Sequence, residues 1–147
     1  MARPKHGNPT PAELEVLHAL WEHGPMTVRQ VMEQLESRQD SRQKERQDRA
    51  YTTVMSLMNV MFEKGLLNRK PDGRAFIYEA TAVRESTLGS MLGDLLNRAF
   101  SGSASLLVSQ LLDQASPDSE ELAQIRKAIK SYQREADREG KREKEGE

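Results

Sequence analysis

The fold is decided by the stretch AYTTVMSLMNVMFEKG, which occupies residues 50–65. Within it, apolar residues recur at the i, i+3, i+4, i+7 and i+8 positions of a helix with one buried face. The opposite face carries Thr52, Ser56, Asn59 and Glu63. Since a solvent-facing helix is usually covered by Lys and Glu, this small, hydrogen-bonding face predicts a helix that lies against a partner surface.

Two further helices are predicted before this one. The first begins at a capping box formed by Thr10 and Glu13 and must stop at Gly24-Pro25. The second is capped by Thr27, with Gln30 at its N3 position. Helix, short turn and helix are the first two elements of a three-helix DNA-binding core.

The connection from residue 37 to residue 49 contains no apolar residue, so it cannot contribute to a core. It is long for a link between helices, and we expect a loop or an exposed turn of helix that is partly mobile. One interpretation is a solvated linker. The other is a basic loop near a phosphate backbone, in which Arg46 and Arg49 are best placed because they adjoin the long helix.

A β-hairpin is predicted after the long helix, which should end at Gly65 with a positive φ. The turn has the composition Pro71-Asp72-Gly73-Arg74, and Phe76 and Tyr78 should share one face of the second strand. Two strands after a helix-turn-helix make a winged helix, and the wing carries basic residues at its tip. We therefore predict a mainly α fold with a small β wing.

Three short amphipathic helices are predicted beyond the wing. Their apolar stripes cannot be enclosed by helices of this size, so a second copy of the chain is the economical way to bury them. We predict a winged-helix DNA-binding domain at residues 1–82, a helical dimerisation domain at 83–133 and a charged disordered tail at 134–147. The predicted interface residues are Leu88, Met91, Leu92, Leu95, Leu96, Leu107, Leu111, Leu122, Ile125 and Ile129.

Composition excludes several classes of function. The chain has no cysteine and three histidines without an accompanying carboxylate cluster, so we predict no metal site and no cofactor. No pair of nucleophile and base suggests an enzyme. The N-terminus does not have a secretory signal, no apolar run could insert in a membrane, and a cytoplasmic location is expected. The net charge of −1 means that any DNA affinity must come from locally placed basic residues.

Five sequence blocks follow one another along the chain, at residues 11–21, 27–31, 50–55, 64–67 and 74–78. Together, and in this order, they resemble the BlaI/MecI penicillinase-repressor family. The resemblance implies a homodimeric winged-helix repressor of a palindromic operator with TACA/TGTA-like half-sites, released through a membrane sensor-protease pathway. The staphylococcal-type cut falls at an Asn-Phe bond, whereas alignment places Gln110 and Leu111 at that position in this chain.

On this reading the long helix, as the segment Tyr51–Lys64, enters the major groove of double-stranded DNA, and the loop and the wing hold the phosphates. Two alternatives remain: a protein-interaction adaptor that does not bind DNA, and a repressor that responds to a small molecule. The predicted DNA-binding residues are Arg46, Arg49, Tyr51, Thr52, Thr53, Ser56, Asn59, Arg69, Lys70 and Arg74.

Overall fold

The computed structural model of the protein describes residues 8–37 and 44–146, except for the side chains of residues 37 and 44–49. In these ranges it contains six helices and one two-stranded antiparallel sheet, which confirms the predicted fold class. The elements are α1 (Pro11–His23), α2 (Val28–Ser37), α3 (Lys44–Glu63), β1 (Leu67–Asp72), β2 (Ala75–Ala80), α4 (Arg84–Ala99), α5 (Ala104–Ala115) and α6 (Ser119–Glu145).

The first two helices begin as their sequences predict. Thr10 Oγ1 accepts a hydrogen bond from the backbone N–H of Glu13 at 3.2 Å, and the Glu13 carboxylate accepts one from the Thr10 N–H at 3.0 Å. Thr27 and Gln30 make the same reciprocal pair at α2, with distances of 3.2 and 2.9 Å. Each capping box satisfies two backbone donors that a helix N-terminus would otherwise leave without partners.

Helix α3 begins at Lys44, earlier than the predicted start near Tyr51. The reason is local, because residues 44–50 contain good helix formers and neither Gly nor Pro. The predicted C-terminus is confirmed: Gly65 has a φ of 86°, and the Leu66 N–H donates to the Met61 carbonyl at 2.9 Å. This is a Schellman motif, which stops the helix sharply and turns the chain into the wing.

The wing is a hairpin in which Leu67 pairs with Ala80 and Arg69 with Tyr78. Gly73 has a φ of 62° in the two-residue turn, a backbone conformation that favours glycine. The wing is joined to the segment before α2, because Tyr78 and Met26 exchange two backbone hydrogen bonds of 2.8 and 3.0 Å. The wing is therefore fixed to the helix-turn-helix rather than held only by its own turn.

The buried core lies among α1, α2, α3 and the wing. On α3, Val54, Met58 and Met61 are buried, as the helical spacing predicts. The other buried apolar residues are Val16, Leu17, Ala19, Leu20, Met26, Val28, Val31, Met32, Leu67 and Tyr78. This core fixes the direction of α3 and so decides which of its side chains face outward.

One buried charge belongs to the same core. Glu13 is 2% exposed, and its second carboxylate oxygen lies 3.0 Å from Lys64 Nζ at the end of α3. Burial raises the pKa of Glu13, but the hydrogen bonds from Thr10 and Lys64 and the Lys64 charge outweigh it, so the pKa lies below its ordinary value. The ion pair fastens the start of α1 to the end of α3.

Contacts divide the chain into two compact units, with the boundary between Leu95 and Leu96. The sequence-based boundary is at residue 82. The difference has a visible cause within the first unit, where Trp21 Nε1 donates to the Ala82 carbonyl at 3.0 Å and Asn8 Nδ2 to Asp94 Oδ2 at 3.0 Å. These hydrogen bonds join the segment before α4, and Asp94 within α4, to residues of the winged-helix segment.

Helices α4, α5 and α6 contain no buried residue. Ser103 caps α5 and Asp118 caps α6, each through a side-chain oxygen that accepts a hydrogen bond from a backbone N–H of the first turn. Helix α6 continues to Glu145, through the segment predicted as a disordered tail. The pairs Glu135–Arg138 and Asp137–Lys141 show why, because an acidic residue three or four positions before a basic one stabilises a helix without any apolar residue.

Candidate nucleic-acid interface

The outward face of α3 carries the polar side chains that the sequence indicated. Thr52, Thr53, Ser56 and Asn59 are all exposed, and Tyr51 is half-buried. Met55, 37% exposed, stands among them and was missed by the sequence analysis, which took no account of an apolar residue outside the buried stripe. The face therefore offers hydroxyls, one amide and apolar surface, which suits contact with base edges and thymine methyl groups.

Three residues of α3, Tyr51, Met55 and Asn59, form one wall of an open groove with a volume of about 520 Å³, whereas Thr52, Thr53 and Ser56 lie outside its lining. The other walls are the beginning of α2 and the wing. No carboxylate is among the described residues that line the groove, whereas three arginines are. The lining residues are Thr27, Val28, Arg29, Tyr51, Met55, Asn59, Arg69, Arg74, Ala75, Phe76 and Tyr78. The groove is thus locally basic in a chain whose net charge is −1.

Arg29 is a groove residue that the sequence analysis did not find. It lies in the first turn of α2, and its guanidinium carbon is 5.5 Å from the centre of the Tyr51 ring. A cation in the first turn opposes the helix dipole, and this unfavourable position is the signal that could have drawn attention to it. The exposed Arg29 joins α2 to α3 and presents positive charge at the groove.

The Arg69 guanidinium contacts two aromatic rings and one amide oxygen, whereas the side chain of a solvated wing would contact mainly water. Its guanidinium carbon lies 4.0 Å from the centre of the Phe62 ring and 4.4 Å from that of Phe76. Its Nη1 also donates to Asn59 Oδ1 at 3.4 Å. The buried Tyr78 hydroxyl donates to the same amide oxygen at 3.3 Å.

The other two wing candidates lie in different places. Arg74 is in the turn and lines the groove beside α3. Lys70 follows Arg69 in β1, so its side chain is on the opposite face of the hairpin, where its neighbours include Asp72 and Glu79. The structure therefore brings Arg69 and Arg74 to the α3 groove and separates Lys70 from them.

The remaining predicted DNA-binding residues, Arg46 and Arg49, are in the first turns of α3, and their side chains lie outside the described residues.

Within the described ranges, no group of three or more His, Asp or Glu residues could hold a metal ion. Across residues 8–37 and 44–146, none of the helices combines the length and apolar content that a membrane crossing requires.

The predicted interface residues of α4–α6 are all at least partly exposed. Leu92 is 53%, Leu111 51% and Ile129 50% exposed. The same helices expose Leu106, Val108 and Tyr132, which were not among the predicted residues. Gln110 and Leu111, which stand where alignment places the staphylococcal-type Asn-Phe bond, are exposed residues in the middle of α5.

These features define a winged helix-turn-helix protein with an exposed recognition-type helix and a basic groove beside it. Comparison with known proteins agrees with that class. The model of the penicillinase repressor family matches residues 9–131, and the chain belongs to this family.

Its relatives are transcription regulators. It is 31% identical to the transcriptional regulator BlaI of Mycobacterium tuberculosis over 119 residues, 80% of this chain and 79% of that protein. It is 22% identical to the penicillinase repressor of Bacillus licheniformis over 121 residues, 82% and 88% of the two chains. The methicillin resistance regulatory protein MecI of Staphylococcus aureus is 20% identical over 118 residues, 80% and 89%. The family is one of transcriptional repressors, not of enzymes, which supports a role in transcription regulation.

Proposed function

We propose that the protein is a homodimeric repressor that binds a palindromic operator with TACA/TGTA-like half-sites through α3 and the wing. The observation that carries this proposal is the basic groove beside the polar face of α3. A chain with a net charge of −1 has no bulk attraction for DNA, so the positive charge of this groove, which has no carboxylate among its described lining residues, marks where DNA would lie.

In this proposal the residues of α3 read bases and the surrounding arginines hold the backbone. Thr53 and Ser56 are exposed on adjacent turns, and their hydroxyls can donate to or accept from base edges in the major groove. Arg29 on α2 and Arg74 in the turn of the wing both line the groove, and each can contact a phosphate.

In this proposal the C-terminal helices form the interface with the second copy of the chain. Their apolar residues have no buried position within the chain, and a two-fold dimer would cover them while placing two α3 helices on half-sites about one helical turn apart. Sedimentation equilibrium of the full chain at micromolar concentration should give the mass of a dimer. A stable monomer would remove this part of the proposal.

Release through a membrane sensor-protease pathway would act on a folded helix. A protease needs an opened chain, and Gln110 and Leu111 lie inside α5, so cleavage there would require local unfolding of that helix. Incubation of the full chain with the protease of such a pathway, followed by mass spectrometry, would locate the cut. An intact chain under conditions that cut a known substrate would remove this route of release.

Base reading is tested by fluorescence anisotropy with a palindromic TACA/TGTA duplex and a scrambled duplex of equal composition. We expect Thr53→Ala and Ser56→Ala each to weaken operator binding by about 1–3 kcal/mol and to leave scrambled DNA unaffected. Ser131→Ala, an exposed serine on α6, is the matched control and should change neither affinity. If the unmodified chain binds both duplexes equally, sequence-specific repression fails as the proposal, and if it binds neither duplex, a protein-interaction adaptor is the better interpretation.

A further inference from the structure

We propose that Asn59 reads a base edge as a hydrogen-bond donor only, and that Arg69 is a positioning residue for Asn59 rather than a phosphate contact. This inference rests on the proposed function, because it assigns roles within the same groove. It is carried by the arrangement of Asn59, Arg69 and Tyr78, which the sequence analysis did not connect.

The orientation of the Asn59 amide follows from its partners. Arg69 Nη1 and Tyr78 Oη lie 3.4 and 3.3 Å from Asn59 Oδ1. A guanidinium has donors and no acceptor, so the atom that faces Arg69 must be the amide oxygen. The two donors use the two lone pairs of that oxygen, so the NH₂ group of this exposed residue is the part of the amide that is left to contact a base.

The two donors are themselves fixed. The Arg69 guanidinium is packed between the rings of Phe62 and Phe76, at 4.0 and 4.4 Å from their centres. Tyr78 is 3% exposed, and its backbone is hydrogen-bonded in both directions to Met26. A polar side chain held by packed partners on regular elements is preorganised for recognition. Packed in this way, Arg69 is also a poor candidate for reaching a phosphate.

The consequence is a defined base preference. The bidentate pairing of Asn with adenine needs the amide oxygen to accept from N6 and the NH₂ to donate to N7. In Asn59 that oxygen is already occupied. An NH₂ group alone fits edges made of acceptors, such as guanine O6 and N7 or thymine O4, whereas adenine places an N6 donor beside its N7 acceptor and cytosine presents a donor at N4. We therefore expect Asn59 to favour guanine or thymine at one position of each half-site.

The test measures competition anisotropy for the full chain on palindromic duplexes in which each half-site position is changed in turn to all four base pairs. Asn59→Ala should lose discrimination of roughly 5- to 150-fold at one position only. Tyr78→Phe, which removes one donor to Oδ1 and keeps the ring, should raise the acceptance of adenine at that position. Asn68→Ala, an exposed asparagine on the other face of the hairpin, is the control and should keep the full profile.

Arg69→Met separates positioning from phosphate binding, because methionine can still pack between the two phenyl rings but cannot donate to Asn59. We expect the same loss of base preference as in Asn59→Ala, with an unchanged salt dependence of binding. A salt slope smaller by about 0.9 with an unchanged base profile would assign Arg69 to a phosphate and overturn its positioning role.

The outcomes separate the two proposals. If the unmodified chain shows no base preference on any duplex, the proposed function fails. If it prefers the operator and Asn59→Ala keeps every preference, then Asn59 does not read a base and this inference alone fails. Thermal unfolding monitored by circular dichroism shows that each variant remains folded at the assay temperature.

Discussion

The winged helix buries apolar residues within one copy of the chain, whereas the C-terminal helices leave theirs exposed. In the described chain, every buried apolar side chain lies between Val16 and Tyr78, and α4–α6 bury none. The winged helix closes a core around α3 within one copy of the chain. The C-terminal helices have the spacing of core-forming helices but leave their leucines half exposed, which is what a helix looks like when its partner is another molecule.

Exposure of an apolar residue therefore has a different meaning in the two regions. On α3, the exposed Met55 is adjacent to the polar Thr52 and Ser56 and lines a basic groove. On α5, Leu106, Val108 and Leu111 follow one another within two turns without basic residues between them. The first pattern is typical of contact with nucleic acid, and the second is typical of contact with protein.

The largest effect should come from truncating a leucine of the C-terminal helices. Truncation of a fully packed leucine costs about 2–5 kcal/mol, and Leu111 is 51% exposed within one copy, so about half of that cost belongs to the interface, where a two-fold axis counts each substitution twice. Leu111→Ala should thus weaken dimerisation by roughly 2–5 kcal/mol, while the denaturant unfolding of the winged helix is unchanged. Sedimentation equilibrium measures the first quantity. Gln110→Ala, the neighbouring exposed residue, should leave the dimer intact, and equal loss in both variants would contradict an apolar interface.

The next prediction compares two methionine substitutions on α3 and tests the core of the winged helix. Met58 is fully buried and Met55 is 37% exposed, one turn away on the same helix. Met58→Ala should lower the free energy of unfolding by about 2–5 kcal/mol through the lost contacts and the cavity. Met55→Ala should cost little stability. Urea unfolding followed by circular dichroism gives both values, and a comparable loss from the two substitutions would show that α3 is not packed as described.

The Glu13–Lys64 ion pair of the winged helix should give a smaller, pH-dependent effect on the free energy of unfolding. Lys64→Met leaves the buried Glu13 carboxylate without its partner, which should cost about 1–3 kcal/mol at neutral pH. The pKa of Glu13 is below its ordinary value of 4.5 in the folded chain. Its stabilising contribution is therefore complete above that ordinary value and is lost as the pH falls through the lowered pKa.

Urea titrations between pH 3 and pH 7 measure this effect. The unmodified chain should lose stability toward acid, and Glu13→Gln should show a flatter profile over the same interval. Glu15→Gln changes an exposed carboxylate of the same helix and serves as the control. Parallel profiles for the unmodified chain and Glu13→Gln would mean that the ion pair does not contribute to the acid sensitivity.

The sequence predicted the parts of this molecule that depend on neighbours along the chain. Capping boxes at Thr10 and Thr27, the stop at Gly65 and the buried stripe of α3 all follow from spacing and local backbone preference. What it missed joins residues that are distant in sequence: Arg69 to Phe62 and Asn59, or Arg29 to Tyr51. A periodicity argument assigns each side chain to a face of its own element, and it contains no information on which faces of different elements meet.

The smallest expected effect concerns the groove residue that the sequence did not reveal. Arg29 and Lys70 are both exposed cations of the winged helix, but Arg29 lines the groove beside Tyr51, whereas Lys70 lies on the other face of the wing. If position at the groove rather than charge decides affinity, Arg29→Ala should reduce the salt slope of operator binding by about 0.9, and Lys70→Ala should leave it unchanged. Anisotropy titrations at several salt concentrations measure both slopes. Equal reductions would mean that the two faces of the wing contribute alike, and the boundary of the DNA-contacting surface would then have to extend beyond the groove to the far side of the hairpin.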